Sequence, residues 1–80
     1  MKELVEVVAK ALVDHPEEVV VTEKVEGKNI TVELHVAADD MGKVIGKQGR
    51  IAKAIRTIVK AAGNKENAKY TVVILEADED

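Results

Sequence analysis

The chain has no cysteine, no serine, no phenylalanine and no tryptophan. Without cysteine, disulfides and thiolate metal sites are excluded, and the composition suits a reducing compartment, so we expect a cytoplasmic protein. Without serine and cysteine, two common catalytic nucleophiles are missing, and neither His15 nor His35 has a sequence partner at acid–base or metal-ligand spacing. We therefore predict a protein that is not an enzyme and needs no cofactor and no metal.

Aromatic residues are almost absent, since Tyr70 is the only one. A domain that reads nucleic acid by stacking bases on rings across a sheet is thus excluded. No apolar run approaches the roughly 20 residues that cross a bilayer, and the first residues are too charged for a signal peptide, so we expect no membrane association. The 80 residues are 46% hydrophobic, mostly Val, Ile, Leu and Ala, and predict one small domain with an aliphatic core and a surface groove.

Positive charge is concentrated in one segment, residues 41–62. It holds six of the chain's 12 basic residues and none of its 15 acidic residues. The segment therefore carries +6 within a chain whose formal net charge is −3. Because phosphates respond to the local field around a patch, the negative total does not exclude nucleic acid. This segregation predicts an anionic partner.

Apolar periodicity and turn residues predict the element order αββααβ. A first helix over residues 2–15 ends before Pro16 and carries one apolar stripe, made of Leu4, Val5, Val8, Ala11 and Leu12. Strands at 18–25 and 30–36 form a hairpin around a turn at 26–29. Two helices follow within residues 41–62, Gly63 and Asn64 stop the second, a loop runs to residue 69, and a third strand covers residues 70–75.

The connection between the second and third strands contains two helices, which favours parallel pairing of those strands. With the antiparallel hairpin, this predicts a three-stranded mixed sheet with all helices on one face, a two-layer α+β domain. We expect the domain to span residues 1–77 and residues 78–80 to form an acidic tail.

The central segment carries a Gly-x-x-Gly turn, Gly46-Lys47-Gln48-Gly49, between its two helices. Such a turn reverses sharply and leaves backbone N–H groups at the start of the next helix open to an anion. We expect Asp39 or Asp40 to cap the helix before it. The glycine spacing fits neither a P-loop nor a dinucleotide fingerprint. The plainer interpretation, a compact turn beside a solvated basic face, is disfavoured by the charge segregation.

The helix after this turn has two distinct faces. Its apolar face, expected to point into the core, consists of Ile51, Ile55, Ile58, Val59 and Ala62. Its basic face consists of Arg50, Lys53, Arg56 and Lys60.

The stretch Val44-Ile45-Gly46-Lys47-Gln48-Gly49-Arg50 resembles the GxxG signature of the K homology, or KH, domain, and the order αββααβ resembles its bacterial type II form. More narrowly, GKVIGKQGRIAKAIRTIVKAA resembles the small stand-alone bacterial RNA-binding proteins of the KhpA type. The resemblance covers nearly the whole chain. It implies that single-stranded RNA, or single-stranded DNA, lies along the loop with about four nucleotides clamped.

The resemblance also implies roles for individual residues. Gly46, Lys47, Gln48 and Gly49 would contact the nucleic-acid backbone, and Arg50, Lys53 and Arg56 would add positive charge. Ile45 and the edge of the strand at residues 30–36 would line the base side of the groove. Members of this family are associated with homodimers and with a partner that carries its own KH domain, so either partner is expected here.

These observations predict a single-stranded RNA-binding protein that acts as an RNA chaperone or post-transcriptional regulator. The alternative is a protein-interaction module whose basic helical face binds an acidic partner.

Overall fold

A computed structural model describes residues 1–46 and 49–77 of the chain. The elements follow the predicted order, with one added 3₁₀ helix: α1 (Lys2–Leu12), the 3₁₀ helix (Pro16–Glu18), β1 (Val20–Glu26), β2 (Asn29–Val36), α2 (Ala38–Ile45), α3 (Arg50–Glu66) and β3 (Lys69–Glu76). The predicted acidic tail, residues 78–80, lies outside the described residues. None of the helices described is both long and apolar enough to cross a membrane.

The three strands form one mixed sheet in the order β1-β2-β3. β2 is its central strand, antiparallel to β1 and parallel to β3. The parallel pair is the one separated by α2 and α3, as expected for a connection too long for a hairpin. The predicted two-layer α+β fold of the type II KH kind is confirmed.

The sheet has one buried face and one face that is open to solvent. Alternate side chains of β2 are completely buried beneath the helices, namely Val32, Leu34 and Val36. On the other face, Glu33 accepts a hydrogen bond from the Thr22 hydroxyl at 3.0 Å and pairs with Lys24 at 3.5 Å. This alternation follows the two-residue period of a strand, which is why the sequence predicted it correctly.

The buried faces of α1 and α3 are only partly those predicted. Ile55 and Val59 are buried as expected, whereas Ile58 is 37% exposed and Ala52 takes its place in the core. On α1 the buried pair is Val5 and Ala9, while Ala11 is exposed. Both helices carry apolar residues on more than one face, so periodicity alone did not decide which face would pack.

Several element boundaries also differ from the prediction. α1 ends at Leu12, before residue 15, and Pro16 opens the 3₁₀ helix that delays β1 to Val20. α3 continues through Gly63 to Glu66 and ends at Asn67, whose left-handed backbone (φ 55°) closes it. A β-carbon at Gly63 would lie 2.6 Å from Cδ2 of Tyr70. Gly63 thus makes room for a ring on β3 and does not stop the helix.

Candidate nucleic-acid interface

The turn between α2 and α3 depends on two glycines. The N–H of Gly46 donates to the carbonyl of Gly42 at 2.7 Å, and a side chain at Gly46 would collide with that oxygen. Gly49 has a φ of 64°, a left-handed conformation that other residues rarely adopt, and its N–H donates to Gly46 at 2.9 Å. The predicted contact residues Lys47 and Gln48 lie outside the described residues. The backbone geometry therefore favours glycine at both position 46 and position 49.

Beside this turn lies a cleft of about 220 Å³ that α2, α3 and β3 enclose together, and we call it the loop cleft. Its lining consists of Ile45, Gly49, Ala52, Lys53, Arg56 and Ile74. Its lining combines the apolar side chains of Ile45, Ala52 and Ile74 with two cations. The fold brings the predicted site residues Ile45, Gly49, Lys53 and Arg56 to one place. Arg50 is exposed at the first position of α3 but does not line the cleft.

The strand beside the cleft is β3, and the expectation that residues 30–36 would provide this edge was wrong. β2 is paired on both sides, so it has no open edge. The apolar wall comes instead from Ile74, which pairs with Leu34 in register. The position of β3 at this edge of the sheet could have been predicted from the sequence. A hairpin places β1 on one side of β2, which leaves only the other side for a parallel third strand.

The cations Lys53, Arg56 and Lys60 differ from Lys10 and Lys43 in the availability of their charge. On other surfaces, Lys10 pairs with Glu6 at 2.8 Å and Lys43 pairs with Asp14 at 3.1 Å. Among the side chains described in residues 1–46, 49–65 and 67–77, no acid forms an ion pair with Lys53, Arg56 or Lys60. Their field is thus not neutralised by a neighbouring acid, and it projects over the cleft.

Helix α2 is fastened at its other end by a buried carboxylate. Asp40 is completely buried and accepts hydrogen bonds from the backbone N–H groups of Asp14 and His15, both at 3.0 Å. The predicted capping role for Asp39 or Asp40 was wrong, because the helix begins after Ala37 and no side chain caps it. The partners of Asp40 lie 25 and 26 residues away, and no local pattern could indicate them. We call Asp14, His15, Asp40 and Lys43 the anchoring corner.

The His15 side chain lies on the surface of this corner. Its Nδ1 is 3.4 Å from Glu17 and its Nε2 is 3.7 Å from Asp39. Partial burial lowers the pKa of His15, but the negative charges of Asp40, Glu17 and Glu18 outweigh it, and the pKa lies above its ordinary value. Ligand atoms of His15, Glu17 and Glu18 lie within 4.8 Å of one another, close enough for a metal ion, although all three side chains are at least partly exposed.

Comparison with known proteins identifies the family. The family model for the KH domain of KhpA and KhpB matches residues 2–74. The chain belongs to the KhpA/KhpB family of KH domains. Its relatives include the RNA-binding protein KhpA of Clostridium perfringens, 64% identical over 75 residues, which are 94% of this chain and 100% of that one. No solved structure matches the chain significantly.

Relatives of lower sequence identity match over nearly the same length of the chain. The RNA-binding protein KhpA of Listeria monocytogenes is 53% identical over 95% of this chain and 100% of its own length. That of Aquifex aeolicus is 49% identical over 95% of this chain and 96% of its own. The resemblance predicted from the glycine turn and the element order is confirmed. In this KhpA/KhpB KH domain, the buried Asp40 lies in the first turn of α2 and the loop cleft lies at the end of the same short helix.

Proposed function

We propose that this chain binds single-stranded RNA in the loop cleft and acts in the cytoplasm as an RNA chaperone or post-transcriptional regulator. The observation that carries the proposal is that one cleft combines two apolar side chains, Ile45 and Ile74, with the un-neutralised cations Lys53 and Arg56. Three relatives named RNA-binding protein KhpA support it. The proposal treats residues 1–77 as one KH domain and residues 78–80 as an acidic tail.

The chemistry of the cleft suits a nucleic acid whose bases are unpaired. Base faces would lie on Ile45 and Ile74, and the sugar–phosphate backbone would follow the turn and the cations of α3. β3 is an edge strand, so its open backbone donors and acceptors are available to base edges. Within a duplex those faces and edges are stacked and paired, and we therefore expect duplex to bind less tightly. The same chemistry would admit single-stranded DNA.

The turn residues supply the most direct test. We expect the double substitution of Lys47 and Gln48 by Asp to abolish binding of an eight-nucleotide single-stranded RNA, because two acids would face the phosphate backbone. Wild-type affinity should fall with salt at a slope of log K against log salt of roughly −2, as expected for about three neutralised phosphates. Fluorescence anisotropy at several salt concentrations measures both quantities, and circular dichroism checks the fold.

The matched control is Ala61→Glu with Lys65→Glu, which changes the net charge equally on exposed positions of α3 that do not line the cleft. This control should bind as the wild type does. If the turn variant also binds as tightly as the wild type, the turn is not the site. Binding that is independent of salt, or equal for duplex, would favour the alternative of an acidic protein partner.

The proposed protein partner is a second KH-domain chain, in a homodimer or a heterodimer. The flank of α3 away from the basic face supports this, because Leu4 of α1 and Ile58 of α3 lie beside one another there and are both partly exposed. Such a flank is a typical element of a protein–protein contact. Sedimentation equilibrium of the purified chain separates a monomer from a dimer.

A further inference from the structure

The groove does not end at the loop cleft. A larger depression, of about 410 Å³, continues along α3 and β3 toward the far end of the helix, and we call it the groove extension. It is lined by Arg56, Val59, Lys60, Asn64, Ala68, Lys69, Tyr70, Thr71 and Val72. Arg56 lines both spaces, so the loop cleft and the groove extension are consecutive parts of one groove.

The lining of the groove extension is amphipathic in the way that a nucleotide requires. Val59 and Val72 lie at its apolar base, and Lys60 and Lys69 stand on its two walls. Among the side chains that the structure describes, which do not include that of Glu66, no carboxylate lines the groove extension and none forms an ion pair with Lys60. Its volume falls in the range of small-molecule sites, about 300–1,000 Å³. A base can rest beside the half-buried Tyr70 while a phosphate meets the lysines.

The far end of the groove extension is held in shape by a close contact. Because Gly63 has no side chain, α3 approaches Tyr70 of β3 more closely than any larger residue would allow. α3 therefore runs on beside β3 to Glu66 before turning at Asn67. The helix from Lys53 to Lys60 rises about 10 Å, and the cations on it form one row beside both parts of the groove.

We infer that the groove extension binds further nucleotides of the same RNA strand, beyond the roughly four that a KH loop clamps. This inference rests on the proposed function and adds to it a longer footprint, with Lys60 and Lys69 as phosphate contacts. Arg56, between the two parts, contacts the backbone where the strand passes from one to the other.

The test compares short and long RNA on the same variants. The wild type, Lys60→Glu and Lys65→Glu are titrated with four- and eight-nucleotide oligouridine. We expect Lys60→Glu to weaken binding of the eight-nucleotide RNA by about tenfold and binding of the four-nucleotide RNA by less than about twofold, since the short strand ends before Lys60. Lys65→Glu makes the same charge change on the same helix outside the groove, and both of its affinities should stay at the wild-type value.

Two further measurements test whether the effect is specific to the groove extension. Lys69→Glu, on the opposite wall, should reproduce the selective loss for the longer RNA. For that RNA the slope of log K against log salt should shrink by about 0.7 in Lys60→Glu, the value for one phosphate of a single strand. A longer strand binds more tightly in part because it offers more positions at which binding can occur. This factor is the same for every variant, so it cancels in the ratio of variant to wild-type affinity for one RNA length. Both lysines are exposed, and circular dichroism verifies that the variants are folded.

The outcomes separate this inference from the proposed function. An equal loss for both RNA lengths, or no loss for either, overturns the groove extension and leaves the loop cleft in place. If the wild type binds neither RNA, or if the turn variant at residues 47 and 48 binds as the wild type does, the proposed function falls and the extension falls with it.

Discussion

Helix α2 separates two charged regions that use similar side chains in opposite ways. In the anchoring corner, Asp40 is buried against two backbone N–H groups and Lys43 is paired with Asp14. In the groove, Lys53 and Lys60 have no acidic partner among the described residues. Charges in the corner therefore contribute to folding, whereas charges in the groove remain available to a ligand. The residue type does not distinguish the two uses, but the presence of a partner does.

The largest effect on folding should come from removing the buried carboxylate. Asp40→Ala leaves the N–H groups of Asp14 and His15 without an acceptor, and the free energy of unfolding should fall by about 2–5 kcal/mol. Urea denaturation measures this fall. Asp39→Ala is the control, since that side chain is 87% exposed and makes only a long contact with His15. If the two variants have equal stability, Asp40 does not anchor α2.

A smaller effect should distinguish paired from unpaired lysines. Lys43→Ala removes an exposed ion pair, and we expect a loss of stability below about 1 kcal/mol with RNA affinity unchanged. Lys53→Ala should do the reverse, with stability within about 0.5 kcal/mol of the wild type and RNA affinity lower by roughly threefold to fivefold. Thermal melts and anisotropy titrations of both variants provide the comparison. If Lys43→Ala and Lys53→Ala change stability and RNA affinity by the same amounts, the anchoring corner and the groove are not functionally separate.

The smallest effect concerns pH. Because the folded-state pKa of His15 is raised, protonated His15 favours the folded chain. This contribution is complete below the unfolded value of about 6.5 and disappears as the pH rises through the folded-state pKa. The wild type should therefore lose slightly more thermal stability than His15→Gln between about pH 6 and pH 8. His35→Gln serves as the control, and a wild-type pH dependence equal to that of His15→Gln would contradict the assignment.

The outline of the fold was readable from local patterns. Alternation in β2, the glycine turn and the length of the crossover predicted the mixed sheet and its helical layer, and the structure confirms them. Local patterns misassigned Gly63 as a helix stop and Asp40 as a cap. In both cases the local role is common, but a tertiary contact, with Tyr70 of β3 or with the backbone after α1, takes precedence.

The candidate site, like the fold, was in part predictable from the sequence and in part decided by tertiary contacts. The sequence by itself determined where positive charge would accumulate, because one segment holds half of the basic residues and no acid, and it determined the sharp turn, because Gly46 and Gly49 allow it. Only the tertiary structure decided that Ile74 faces Lys53 across a cleft and that the groove continues to Lys69. Those residues belong to the consecutive elements α3 and β3, and only the packing of α3 back against β3, which no local pattern specifies, brings them together.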